Sequence, residues 1–282
     1  MTIETGPTGA ASNATTTVDT GTDELLAERD GHVLILTLNR PDRLNAISRV
    51  MTSTLSRMLV EANADTEVRA VIITGAGRGF CAGLDLVDRG PAARANEEPQ
   101  AKRLFNLHDA PPTVLWNMDK PVICALNGAA AGYGMDLALA CDIRIAGESG
   151  RMACITAKRN LLPESGGTWL LPRQIGWGKA AELFFLGRVV GAEEALELGL
   201  VNTVVPDAEL LDTAREWAQR IAANAPLAVQ ATKRMMRQGM NETFETTVDH
   251  LGVHLDALFV MEDTKEGVAA FMERRDPKFT GR

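Results

Sequence analysis

The chain has 282 residues, 45% of them hydrophobic, enough to bury one large core with or without a small appendage. Its 37 acidic against 29 basic residues give a net charge of -8, and it has no Lys/Arg cluster of the kind that grips a phosphate backbone, so nucleic acid is not an expected partner. The longest apolar region, Val122 to Ala146, is broken by Asn127, Asp136, Asp142 and Arg144, and no membrane span is expected.

Residues 1–22 are mostly Thr, Gly, Ser and Ala, fit neither a secretory nor a mitochondrial targeting pattern, and read as a disordered tail. From His32 the run HVLILTLNR predicts a strand, ended by Arg40-Pro41 and Asp42. A helix follows from the N-cap candidate Ser48 to Asn63, with Met51, Leu55, Met58 and Leu59 on one face. Arg69 to Thr74 is a second strand. Gly75, Gly77 and Gly79 after it lack the spacing of a dinucleotide fingerprint, and Phe80 to Leu86 reads as extended or turn-like where that motif would open a helix. Gly90 to Gln100 reads as a mobile surface loop, and a helix is expected over about Lys102–Asp109.

Lys120 to Asp142, KPVICALNGAAAGYGMDLALACD, is the most informative stretch. Val122–Leu126 predicts a buried strand that Asn127-Gly128 ends. Ala129 to Gly134 then carries little side-chain bulk ahead of a helical pattern, so backbone N–H groups can approach a ligand at a helix N-terminus, a setting that favours developing negative charge. Asp136 sits in that first turn. Taken alone, Gly132 and Gly134 would equally serve tight helix–sheet packing, and Asp136 would equally be an ordinary N-terminal helix acid. Downstream, Ile143–Ala146 and Arg151–Ile155 read as strands, Lys179–Leu186 and Ala192–Leu198 as helices, and Leu200–Val205 as a strand. From Asp207 the pattern is helical only, with one stripe of Leu210, Ala214, Trp217 and Ile221 and another of Phe244, Val248, Leu251, Leu255 and Phe259. Cys81, Cys124, Cys141 and Cys154 have no metal-binding spacing, and free thiols in a reducing cytoplasm are expected. His250 and His254 are spaced i, i+4, but no third ligand accompanies them, and no metal site is expected.

Several ordered motifs together resemble the crotonase, or enoyl-CoA hydratase/isomerase, superfamily over about Asp23 to Phe279: Leu44-Asn45-Ala46, Phe80 to Leu86, Lys120-Pro121-Val122 with Asn127-Gly128, Gly132 to Asp142, Leu162 to Thr168, Glu266 to Phe271 and Asp276 to Phe279. The resemblance implies an α/β fold, a spiral of ββα units over 23–223, with a C-terminal helical trimerisation region over 224–282. It implies an acyl-CoA substrate, a homotrimer or dimer of trimers, and no cofactor beyond the coenzyme A that is part of the substrate. Carried onto this chain, the two backbone donors that hold the thioester oxygen belong to Leu84 and Tyr133, the latter where the family usually has Gly or Ala. Asn45, Ala46 and Ala82 match positions lining the CoA, and Lys278 matches one that reaches a CoA phosphate. The two hydratase acids map onto Asp136 and Thr156, whereas Glu164 falls where the Δ3,Δ2-enoyl-CoA isomerase branch carries its single acid. The expected activity is therefore a double-bond shift through Glu164 with Asp136 secondary. The alternatives are hydration of a 2-enoyl-CoA by Asp136 and Glu164, a catalytically idle CoA-binding member, and dehalogenase or decarboxylase chemistry on the same fold.

Overall fold

The computed structural model describes residues 15–89, 110–163 and 165–282. Glu164, the Gly90–Gln100 loop and the Lys102–Asp109 helix expected from sequence all lie outside the described residues.

Strands β1 (Thr16–Val18), β2 (Leu25–Asp30) and β3 (Val33–Leu38) form an antiparallel meander, and β4 (Ala70–Gly75) adds in parallel to β3 after helix α1 (Arg49–Ala64). Thr16–Val18 corrects the reading of 1–22 as a disordered tail. β-Branched Thr16, Thr17 and Val18 pair with Arg29 to Ala27, and the buried Thr20 hydroxyl donates to the Leu25 carbonyl at 2.6 Å. The β2 strand itself was not read from sequence, although Gly31, at positive φ, turns it into β3. Helix α1 starts where expected, with the Ser48 hydroxyl accepting from the Met51 N–H.

From β4 onward a unit repeats: one strand in a large sheet, one short strand in a small sheet, then a helix. β5 (Gly79–Cys81) is followed by α2 (Leu86–Arg89). After α3 (Pro111–Asn117) come β6 (Val122–Leu126), β7 (Ala129–Ala131) and α4 (Tyr133–Ala140), then β8 (Ile143–Gly147), β9 (Arg151–Ala153) and a 3-10 turn at Thr156–Arg159. This is the expected spiral. Its large sheet runs β1-β2-β3-β4-β6-β8-β11 and its small one β10-β9-β7-β5, where β10 is Val189–Gly191 and β11 Thr203–Val205. Asn127 ties neighbouring turns together, its amide donating to the Gly77 carbonyl at 2.9 Å while its oxygen accepts from the Gly75 N–H at 3.1 Å.

Both faces of the large sheet's centre are buried, which is why its central strands β3, β4 and β6 read as nearly continuous apolar runs. Leu34, Leu36, Val71, Ile73, Val122 and Cys124 face α1 and α4, while Val33, Ile35, Ile72, Ile123 and Ala125 face a later helix. Past α5 (Gly167–Ile175), α6 (Trp177–Leu186) and α7 (Ala192–Glu197), that helix is α8 (Leu210–Ala222). Its Ala214, Ala218 and Ala222, four residues apart, let it lie close on the sheet. α9 (Pro226–Gly239), α10 (Phe244–Phe259) and α11 (Glu262–Glu273) follow, and α10 has no buried residue. No helix among the described residues is long and apolar enough to cross a membrane.

Candidate active site

Two turns from successive units meet at one cleft. In the first, the chain leaving β5 turns at Gly83 and reaches Leu84, which forms a parallel bridge with Ile47. The Ile47 N–H donates to the Gly83 carbonyl at 2.8 Å and the Asp85 N–H donates to the Ile47 carbonyl at 3.0 Å. In a parallel ladder that pattern spends the groups flanking Leu84, so the Leu84 N–H turns to the opposite side. Against Gly83 lies the second turn. A Cβ on Gly83 would stand 2.9 Å from the Ala131 carbonyl and 3.7 Å from the Tyr133 nitrogen, and the φ of +101° here also favours glycine. Gly132, at φ 53° and ψ -118°, swings the chain from β7 into α4, which makes Tyr133 the first helical residue with its N–H directed out of the helix start. Tyr133, larger than the usual Gly or Ala, lines the cleft yet is buried in the core cluster at 6% exposure.

The cleft, about 130 Å³, is lined by Ala82, Gly83, Leu84 and Leu86, by Gly132 and Tyr133, and by Ile155, Thr156, Arg159 and Leu161. Among these described lining residues none is a carboxylate. Asp136 is 2% exposed and lies behind the Gly132–Tyr133 turn. Its carboxylate accepts the Ser165 N–H at 3.0 Å, and Gly167 fits against it so closely that a Cβ would stand 2.0 Å from Oδ1. The Asp136 side chain thereby holds Ser165 and Gly167 against the first turn of α4. Cys154 shares this region, its thiol 3.3 Å from the Met135 sulfur, and burial, reinforced by the Asp136 charge, pushes its pKa up to about 12.

Asp85 fixes the other turn. It accepts from the Val87 N–H at 3.0 Å and pairs with the Arg40 guanidinium at 2.9 Å. Burial acts to raise its pKa, but the Arg40 hydrogen bond, those from Val87 and Asp88, and the Arg40 charge together hold it below the usual value.

The expected CoA-lining set is divided. Ala82 lines the cleft and Ala46, next to Asn45 in the chain, is half-buried, but Asn45 is 0% exposed and cannot touch a ligand with its side chain. Its amide donates to the Gly79 carbonyl at 2.7 Å and the Ala76 carbonyl at 2.9 Å, and its oxygen accepts the Arg40 N–H at 2.8 Å. Asn45 thus braces the β4–β5 turn from a left-handed backbone conformation, φ 55°. Lys278 lies on a different surface depression with Glu262, Asp263, Glu266, Arg275 and Thr280, its N–H donating to Glu266 at 2.7 Å, and does not line the cleft within this subunit. His250 lies 3.1 Å from the Glu242 carboxylate. Arg159 was not singled out from sequence, because Lys158-Arg159-Asn160 carries no mark distinguishing a cleft-lining arginine from a solvated one.

The family model described as enoyl-CoA hydratase/isomerase matches residues 28–282. Among curated proteins the chain is 39% identical to 1,2-epoxyphenylacetyl-CoA isomerase of Escherichia coli K12, over 92% of this chain and 98% of that protein. It is 35% identical to the short-chain-enoyl-CoA hydratase of Clostridium acetobutylicum, over 90% and 96% respectively. Among solved structures, an enoyl-CoA hydratase from Bacillus anthracis matches 92% of this chain and 100% of its own with a TM-score of 0.84 at 35% identity. With its repeating strand–strand–helix units, its paired turns at Gly83 and Gly132, and these likenesses over nearly its whole length, the chain belongs to the enoyl-CoA hydratase/isomerase family of acyl-CoA enzymes, the crotonase superfamily.

Proposed function

We propose that the protein is an enoyl-CoA isomerase that moves a double bond from C3=C4 to C2=C3 of an acyl-CoA. The Glu164 carboxylate takes a proton from C2, and the C2–H electron pair becomes the C1=C2 bond of an enolate whose negative charge rests on the thioester oxygen. The backbone N–H groups of Leu84 and Tyr133 hold that oxygen, each such donor being worth about 2.7 to 4 kcal/mol in the transition state. As the enolate collapses to C2=C3, the C3=C4 pair takes the proton back from Glu164 at C4. The sequence is redox-neutral and needs no metal or cofactor, and coenzyme A enters only as part of the substrate. Asp136 serves secondarily, through its hydrogen bond to the Ser165 N–H beside the acid.

The observation that carries this reading is Thr156. It lines the cleft at the position matching the second hydratase acid, and no described lining residue offers a carboxylate in its place to hold a water with a partner acid. The 39% identical relative is named an isomerase of 1,2-epoxyphenylacetyl-CoA, an epoxide, and so accords with isomerisation of a CoA thioester without bearing on the double-bond shift itself. The likeness to a hydratase, together with the closeness of Asp136 to the Glu164 segment, supports hydration as the second reading.

Purified protein given a 3-enoyl-CoA and, separately, a 2-enoyl-CoA distinguishes the two. The expected result is 2-enoyl-CoA from the first, with any solvent deuterium that exchanges onto Glu164 appearing at C4 of the product, and a fall in kcat on the order of a hundredfold or more for Glu164→Gln. Formation of 3-hydroxyacyl-CoA from the second substrate, surviving Glu164→Gln, would overturn the assignment. Binding of both thioesters with neither converted and no deuterium gained at C2 or C4 would mark an idle CoA binder.

The assembly we infer is a homotrimer or dimer of trimers. It is supported by the apolar stripe of α10, left open in the single subunit with Phe244 79% and Phe259 64% exposed. A cytoplasmic location accords with four free, buried cysteines.

A further inference from the structure

We propose that Arg159 reads a carboxylate carried by the acyl group, so that the preferred substrates are CoA thioesters whose acyl part is itself anionic. The inference rests on the acyl-CoA reading above and deepens it by naming a substrate class. Thr156 and Arg159 are the first and last residues of a 3-10 turn, in which positions three apart eclipse one another, and both line the cleft. The turn abuts the anion-holding centre, since a Cβ on Gly132 would touch the Thr156 methyl at 3.7 Å. It is also held in place. The Leu161 N–H donates to the Thr156 carbonyl at 3.1 Å, Asn160 closes the turn at φ 54°, and the Lys158 stem packs on Gly187. The base of the Arg159 side chain is therefore fixed at the cleft rim while its head is uncommitted.

That head is what distinguishes Arg159 from the arginines around it. Arg40 pairs with Asp85, Arg188 with Glu182 and Glu194, Arg173 stacks 4.0 Å over the Trp169 ring, and Arg144 donates to the Leu200 carbonyl. Among the described residues Arg159 has neither an ion pair nor a hydrogen bond, and it is the only charged residue lining the cleft. Its neighbours on the wall, Leu86, Ile155 and Leu161, are apolar. An apolar slot with one planar, bidentate cation at its rim suits an acyl group with a hydrocarbon body and a carboxylate on it. Arg159 stands on the Ile155–Leu161 segment. The CoA is expected along Ala46 and Ala82, which the Ala82 N–H bond to the Leu44 carbonyl draws together, so the group Arg159 faces is the acyl part.

The test uses saturated thioesters that cannot react, so that it does not depend on which acid moves the proton. Dissociation constants are measured by calorimetry on the full chain for a matched pair of equal chain length, a monocarboxylic acyl-CoA and the dicarboxylic acyl-CoA, with wild type, Arg159→Gln and Arg159→Lys. Wild type should bind the dicarboxylic thioester more tightly. Arg159→Gln should weaken that ligand on the order of tenfold and the monocarboxylic one by less than about twofold, with Arg159→Lys recovering part of the loss. Equal affinities in wild type, or equal weakening of both ligands by Arg159→Gln, would overturn the inference, the latter pointing to a CoA phosphate contact. Failure of both thioesters to bind wild type would overturn the acyl-CoA reading itself, and this inference with it.

Discussion

Replacing Gly134 with Ala tests whether the position of α4 sets the chemistry. A Cβ at 134 would stand 2.2 Å from the Cys81 carbonyl oxygen and 2.8 Å from the Cys81 Cβ. Both neighbours are fixed, Cys81 by its place in β5 and its complete burial, so α4 must retreat by roughly 0.8 Å or more to reach even a tight contact. Two effects oppose each other in stability. Alanine favours a helix over glycine by about 1 kcal/mol, whereas overpacking a close-packed interior costs about 1 to 3 kcal/mol, so the variant should be folded and modestly less stable. Catalysis should suffer more. The Tyr133 amide rides on the first residue of α4, and moving one donor by close to an ångström relative to Leu84 should lower kcat by on the order of a hundredfold. Steady-state kinetics on a 3-enoyl-CoA, with a thermal unfolding curve to show that the protein is folded, reads both quantities. A folded Gly134→Ala enzyme with kcat within about threefold of wild type would refute the claim that the helix start supplies the charge stabilisation.

Asp85 predicts an acid limit. Its folded pKa lies below the ordinary 3.8, so the stability it confers is complete above that value and is lost as pH falls through the depressed one; Asp85→Asn should flatten the decline in urea midpoint measured in that acid window. On α10, replacing Phe244 and Phe259 together with Ser should leave the subunit folded but shift sedimentation towards smaller species, and an unchanged sedimentation coefficient would remove that face from the assembly.

The parts of this fold that sequence made plain are those buried on both faces or signed by a cap. Val33–Leu38, Ala70–Gly75 and Val122–Leu126 are apolar except for Thr37 and Thr74 because helices cover the large sheet on both sides, and Ser48 marks the start of α1 by its hydroxyl. The small sheet left almost no trace. Ala129–Ala131 has no β-branched residue and is a strand only because β5 and β9 flank it, so tertiary pairing overrides propensity there. Asn45 shows the same limit at the site. Its type and position fit a ligand contact, and only its burial and its bonds to Gly79 and Ala76 reveal a brace. A site built from main-chain N–H groups writes itself into sequence through the side chains it cannot tolerate. Gly83 is pressed by the Ala131 carbonyl, Gly134 by the Cys81 carbonyl and Gly167 by the Asp136 carboxylate, three contacts by three different atoms. Each of these glycines, read separately, has an ordinary packing explanation. Together they fix where β5 ends, where α4 begins and how closely Gly167 seats against Asp136, so the constraint on side-chain volume at these positions sets where the Leu84 and Tyr133 amides stand.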